Sequence, residues 1–275
     1  MNKTLKFLMV GLVAIISIAS CKKEIDFNAG KSNNCQLTTL TTDLGPLGKY
    51  TINYFYDASG KISKATSDGQ TNTYAYSTNK ITATDEDGYV AEIVLENGRA
   101  VSSGSDGVIV SGGISYDYTR KYTYNAEGYL VEVKNYLSGV LSSTDVLTYS
   151  NGNLVKGVST DANLGFVSTT TYSYSTELAL NTYEIADPLS YHVDYFPGGY
   201  YGKQSKNVLV KTSTKTVDSS GDPFTDDVVN YSYQFDAKGN ASALTFTQVT
   251  NFYPSGGPMT TDTYTAKFNL VYNCK

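Results

Sequence analysis

The chain has 275 residues, 26 acidic against 21 basic, a formal charge of −5 and no cluster of Lys or Arg, so nucleic acid and anionic lipid surfaces are poor partners for it. With one histidine in the chain, no His-based metal cluster or triad can form without other ligand types. Twenty-five tyrosines, 24 glycines and no tryptophan favour half-buried strands joined by tight turns.

Asn2, Lys3 and Lys6 form a short basic region, and Phe7 to Ile18 an apolar run too short to span a bilayer. Ile18-Ala19-Ser20-Cys21 resembles the lipobox of bacterial lipoproteins, in which small residues precede a Cys that takes the lipid. On that resemblance residues 1–20 are a signal peptide and Cys21 is the lipidated first residue of the mature protein. Lys22 is not the Asp that resembles an inner-membrane retention signal, which favours the outer membrane. Lys22-Lys23-Glu24-Ile25-Asp26 is only partly similar to the signals that export Bacteroidota lipoproteins, so cell surface and periplasmic face both stay open. Residues 21–34 read as a polar tether with a reach on the order of 20 Å.

Residues 35–275 hold no Pro/Gly/Ser linker and are expected to form one all-β domain. With Cys21 lipidated, Cys35 and Cys274 are left at the two ends of this part. In an oxidising compartment they are expected to pair, the alternative being two unrelated buried thiols.

Three near copies of one pattern recur, at Tyr54-Phe-Tyr-Asp-Ala-Ser-Gly-Lys-Ile62, at Tyr122-Thr-Tyr-Asn-Ala-Glu-Gly-Tyr-Leu130 and at Tyr233-Gln-Phe-Asp-Ala-Lys-Gly-Asn-Ala241. Each predicts a hairpin tip: the aromatic residues at i and i+2 share a face, the Asp or Asn opens a turn, and the Gly closes it with positive φ. Further tips are expected at Ser77 to Asn79, Asn97-Gly98, Asn151-Gly152 and Ser175 to Glu177. Return turns are expected at Asp68-Gly69, Asp87-Gly88, Gly112-Gly113, Ser138-Gly139, Asp161 to Gly165, Ser219 to Gly221 and Gly256-Gly257. Strands of about 6 to 10 residues fill the gaps, roughly 13 to 15 in all, joined neighbour to neighbour as an antiparallel meander. A sheet with that many strands and one Tyr-bearing face curls into a half-barrel or barrel with the rings inside.

One stretch, residues 177–202, breaks the meander. Leu178, Leu180, Tyr183 and Ile185 suit a helical turn or two, and residues 191–201 form the densest aromatic cluster of the chain. An insertion of this length caps an end of the sheet or supplies a binding surface. The Tyr-x-Tyr-Asp-x-x-Gly units resemble the YD repeats of Rhs-type shell proteins. Together with the lipobox and Gly202-Lys-Gln-Ser-Lys-Asn-Val-Leu209, they are also similar to a Bacteroidota lipoprotein family of unknown function with a porin-like β-fold. That resemblance implies a fold and offers no catalytic residue.

No nucleophile elbow, phosphate-binding loop or metal-spaced Cys pair occurs, so no enzyme, cofactor or metal site is expected. The acidic turns at Asp85-Glu86-Asp87 and at Asp218, Asp222, Asp226 and Asp227 lack calcium-loop spacing and read as solvated. Most tyrosines are assigned to packing, because a repeat dictates their positions. Tyr191, His192, Tyr195, Phe196, Tyr200 and Tyr201 escape that rule and are the candidate binding residues. The expected protein is a lipid-anchored, non-enzymatic outer-membrane β-protein that binds a glycan, an amphiphile or an envelope protein. The alternatives are a purely structural envelope protein and a Tyr-lined trough for a glycan or amphiphile. An integral pore is disfavoured, because the chain end Cys274-Lys275 lacks the terminal aromatic that resembles a barrel assembly signal.

Overall fold

A computed structural model describes residues 35–110, 114–180, 187–193, 199–254 and 257–274. Residues 1–34, on which the expected signal peptide, lipidated Cys21 and tether fall, lie outside the described residues. The strands in chain order are β1 (Cys35–Asp43), β2 (Lys49–Tyr56), β3 (Ile62–Ser67), β4 (Gln70–Tyr76), β5 (Lys80–Thr84), β6 (Val90–Glu96), β7 (Arg99–Val110) and β8 (Ile114–Tyr124). They continue as β9 (Leu130–Leu137), β10 (Val140–Ser150), β11 (Asn153–Asp161), β12 (Val167–Leu178), β13 (Asn207–Val217), β14 (Pro223–Phe235), β15 (Ala241–Phe252) and β16 (Thr260–Cys274). Each pairs antiparallel with its sequence neighbours, and β1 pairs with β16, which closes the sheet into a barrel. The meander and the inward tyrosines were legible in the sequence; the count of 13 to 15 was low. Sixteen strands fit because some are shorter than the spacing argument assumed, β5 having five residues.

At the closing seam Cys35 faces Cys274 in register, and the two are joined by a disulfide that spans 239 residues of chain. Both ends of the barrel chain therefore lie at the same end as the turns after β2, β4, β6, β8, β10 and β14, an end called the floor below. The return turns form the opposite end, the mouth.

Two floor turns and two mouth turns share one mechanism. Asp57 Oδ1 accepts from the amides of Ser59 and Lys61, and Asp236 Oδ1 does so from Lys238 and Asn240. At the mouth, Asp85 accepts from Asp87 and Tyr89, and Asp218 from Ser220 and Asp222. Gly60, Gly88, Gly221 and Gly239 close these turns at φ between 82° and 87°. The two acidic turns thus spend a carboxylate oxygen on their own backbone. Ser175 to Glu177 is not a tip: β12 runs on to Leu178, because the insertion stands where a tight turn would.

Alternation along the strands separates two faces. On β16, Ala266, Phe268 and Leu270 are buried while Thr265, Lys267, Asn269 and Val271 are exposed. On β14, Val229 and Tyr231 are buried and Asn230, Ser232 and Gln234 exposed. Exposed apolar residues on the outer wall are scattered: Val94 lies between Lys80 and Ser102, and Phe55 lies under the Lys64 ammonium at 4.3 Å. A membrane-spanning barrel shows the reverse, an apolar band outside and polar residues within.

The inner face explains the tyrosines. A barrel of sixteen strands is wide enough to leave an aqueous channel unless large side chains fill it. Tyr54, Tyr122, Tyr172 and Tyr231 are buried in one core with Leu130, Leu154 and Leu209. The second ring of each pair reaches sideways: Tyr56 donates to the Leu37 carbonyl, Tyr124 to Ala100, Tyr174 to Leu154 and Tyr233 to Leu209, at 2.6 to 2.8 Å. Tyr76 makes the same bond to Ile62. Each such phenol joins adjacent strands just above the floor and satisfies its own polar end there, which lets so many rings be packed inside.

The insertion completes the filling. Between β12 and β13, Leu189, Val193 and Tyr201 join the core, and the Tyr201 ring meets Tyr122 edge-on at 5.2 Å. Its backbone is tied to the floor by bonds from the Ala100 amide to the Tyr200 carbonyl, from Lys203 to Gly128 and from Lys206 to Gly152. Gly202 sits at φ 79°, where a Cβ would come 2.5 Å from the Gly128 carbonyl. The expectation of a cap is met. Residues 181–186, the middle of the expected helical turn, lie outside the described residues; Leu178 ends a strand, and the helical piece is a 3-10 turn at Pro188–Tyr191 capped by Asp187.

Candidate functional site

Above the core the inward positions change character along each strand from β8 to β15. Arg120 stands above Tyr122 on β8, Asn135 above Val133 on β9, and Asp145 above Leu147 on β10. Ser159 lies above Leu154 on β11, Thr170 above Tyr172 on β12, and Thr212 and Thr214 above Leu209 on β13. Asp227 tops Val229 on β14, and Gln248 tops Phe246 on β15. These residues line a cavity of about 560 Å³ open toward the mouth and blind toward the floor.

His192, at the end of the 3-10 turn, rises through the core to the base of this cup. Its Nε2 lies 2.9 Å from the Tyr172 hydroxyl. Its Nδ1 lies 3.3 Å from Oδ2 of Asp145, a close approach that is not aligned as a hydrogen bond. The ring has room because residue 157 is glycine: a Cβ there would lie 3.2 Å from Nε2 and 3.3 Å from the Tyr172 hydroxyl. Burial pushes the Asp145 carboxyl up, but contacts with His192 and Ser159 and the nearby charge of Arg120 outweigh it and hold Asp145 below the usual carboxylate range.

The wall is braced by its own polar contacts. The Arg120 Nε donates to the Tyr118 hydroxyl, which donates to Asn135 Oδ1 at 3.0 Å, and Asn135 Nδ2 donates to Ser143 at 2.8 Å. Across the cup Gln248 donates to Asp227 Oδ1 at 3.1 Å, as does Thr250 at 2.5 Å, and the Thr170 and Thr214 hydroxyls are hydrogen-bonded to each other at 2.8 Å. The cup presents hydroxyls, amides and two carboxylates around one guanidinium. Among the described residues no group of His, Cys, Asp and Glu is placed to hold a metal.

The candidate residues read from the sequence part company here. His192 reaches the cup, whereas Tyr201 is buried in the core and Tyr200 packs against it, so neither forms an exposed platform. Tyr195, Phe196 and the Tyr191 side chain lie outside the described residues. Arg120, Asp145 and Gln248 were missed, each being one polar residue among many on its strand; Asp227, read as part of a solvated acidic turn, instead lies within β14 and lines the cup, because the strand runs from Pro223 and turns that position inward. Strand parity could have found them: Asp145 and Leu147 are two apart, so a buried Leu147 places Asp145 inside as well.

Over residues 54–242 the sequence matches a family described as a domain of unknown function (DUF4595) with porin-like fold. A porin-like protein from Bacteroides uniformis ATCC 8492 is similar at 20% identity, with a TM-score of 0.58, over 86% of this chain and 98% of that one. A porin-like protein from Bacteroides vulgatus ATCC 8482 is similar at 16% identity, with a TM-score of 0.54, over 86% of this chain and 98% of that one. At such identities the likeness speaks for the fold alone. No curated protein matches the chain.

Proposed function

Because the chain belongs to the DUF4595 family of domains with porin-like fold, we propose its function from the barrel itself: a non-enzymatic module that holds a small ligand in the mouth-side cup. Lipidated Cys21 and the tether of residues 21–34 would anchor it at the outer membrane. The observation that carries this reading is the blind cavity of about 560 Å³, within the roughly 300 to 1,000 Å³ of small-molecule sites. The anchor is supported by the apolar run and Ile18-Ala19-Ser20-Cys21. Cys35 lies at the floor, so a tether leaving it would turn the mouth away from the membrane. The polar outer wall and the plugged floor speak against a pore, and planar-bilayer recordings are expected to show no conductance.

Native mass spectrometry of the full chain isolated from its envelope tests the binding reading. A retained compound of small-molecule mass is expected. If none is retained and no envelope metabolite raises the melting temperature, the runner-up, a purely structural envelope protein, takes its place. That runner-up is favoured by the burial of Tyr201, which takes a ring from the foreseen contact surface. Cys21→Ala is expected to move the protein from the membrane to the soluble fraction.

A further inference from the structure

Resting on that reading, we infer that the cup takes a neutral saccharide of one or two rings. The wall decides the class by what each alternative would have to break. An anion would face Asp145 and Asp227 with only Arg120 to favour it, and Arg120 is already engaged with Tyr118. A cation would find both carboxylates held from within, Asp145 by His192 and Ser159 and Asp227 by Gln248 and Thr250. An amphiphile needs a continuous apolar lining, and the apolar lining here is Leu137, Val229 and the rings of Tyr118 and Tyr172. The tyrosines foreseen as a trough are packed below the cup, so they present no such surface.

A polyol fits what remains. Its hydroxyls both donate and accept, and so do the hydroxyls of Ser142, Ser159, Thr170, Thr212 and Thr214, each of which keeps acceptor capacity while it donates. Asn135, Gln248 and Asp227 are braced within the wall and would address a ligand with the capacity that bracing leaves: the second N–H of the Asn135 amide, Oε1 of Gln248 and Oδ2 of Asp227. The apolar face of a pyranose ring would lie on Leu137 or on Val229, which line the cavity from strands β9 and β14, and the volume admits two rings.

Isothermal titration calorimetry on the full chain in phospholipid nanodiscs, with empty discs as blank, tests this. The probes are maltose, cellobiose, lactose and chitobiose, with galacturonate as the anionic arm and spermidine as the cationic arm. At least one neutral disaccharide is expected to bind. Thr214→Phe, which fills the cup, is expected to weaken binding at least about 10-fold, while Ser232→Phe on the outer wall leaves it unchanged. Should Thr214→Phe fail to fold, Gln248→Leu serves with the same expectation. Binding of galacturonate or spermidine alone, sensitive to Thr214→Phe, overturns the saccharide assignment and keeps the binding module. Disaccharide binding that ignores both cup variants overturns the site. No binding of any probe, together with nothing retained in native mass spectrometry, overturns both readings; if a compound is retained, only the saccharide assignment falls.

Discussion

The floor half and the mouth half of this lumen are built on the same strands, with the same pairing and the same alternation, yet one is solid and the other hollow. Thr170 and Tyr172 are two residues apart on β12; the first borders open space and the second is buried. On β14 the change falls between Asp227 and Tyr231, on β10 between Asp145 and Leu147. Backbone geometry is thus indifferent to whether the barrel is a core or a container. Side-chain volume at the inward positions decides, and the insertion settles which end is shut.

That contrast yields graded expectations. Removing the cystine by Cys35→Ser with Cys274→Ser is expected to have the largest effect. It releases a seam at the floor end and costs about 2 to 5 kcal/mol by chemical denaturation. Leu154→Ala in the floor half, fully buried, is expected to cost on the order of 2 to 5 kcal/mol, whereas Thr214→Ala beside the cup stays within about 1 kcal/mol. Equal costs at the two sites would erase the distinction between filled and hollow halves. Tyr174→Phe removes a bond to the Leu154 carbonyl and is expected to cost about 1 kcal/mol. Tyr149→Phe sharpens the comparison. Its hydroxyl is buried with no hydrogen-bond partner among the described residues and its pKa is pushed well up by burial, so the change is expected to be neutral or stabilising in thermal melts.

The smallest expected effect is a pH dependence at the boundary between the halves. Asp145 is held below its unfolded value of roughly 3.9, so its contribution is complete above that pH and fades as pH falls through the folded value. Melting curves taken between about pH 2 and 6 should lose stability on the acid side, and Asp145→Asn should flatten that limb. An unchanged acid limb in the variant would show that the His192 contact contributes nothing there.

Much of the floor half was legible. Tyr-x-Tyr followed by Asp and Gly encodes two inward rings and a turn within a few residues, and Tyr54 to Gly60 folds as its pattern says. The Cys35 and Cys274 pairing was expected from their positions at the two ends of the domain and from an expected oxidising compartment, and the disulfide is present. The cup was not legible, for a physical reason. Its polar residues come one or two from each strand, and Thr214 facing inward looks the same in sequence as Thr265 facing water. Nor could the sequence say that Tyr201 would be drawn into the core, since that required knowing how wide a gap the barrel leaves to be filled.

The seam between β1 and β16 has a consequence for how the molecule comes into being. A circular sheet is complete only when its latest-made stave meets its earliest, and here those staves are divided by nearly the whole barrel. Contacts so distant along the chain slow folding, and until the ring shuts, β1 offers a naked edge to any passing strand. Protection of that edge while the chain folds, by a chaperone or by rapid oxidation of the two thiols once the strands touch, is therefore a requirement this architecture imposes on the cell that makes it.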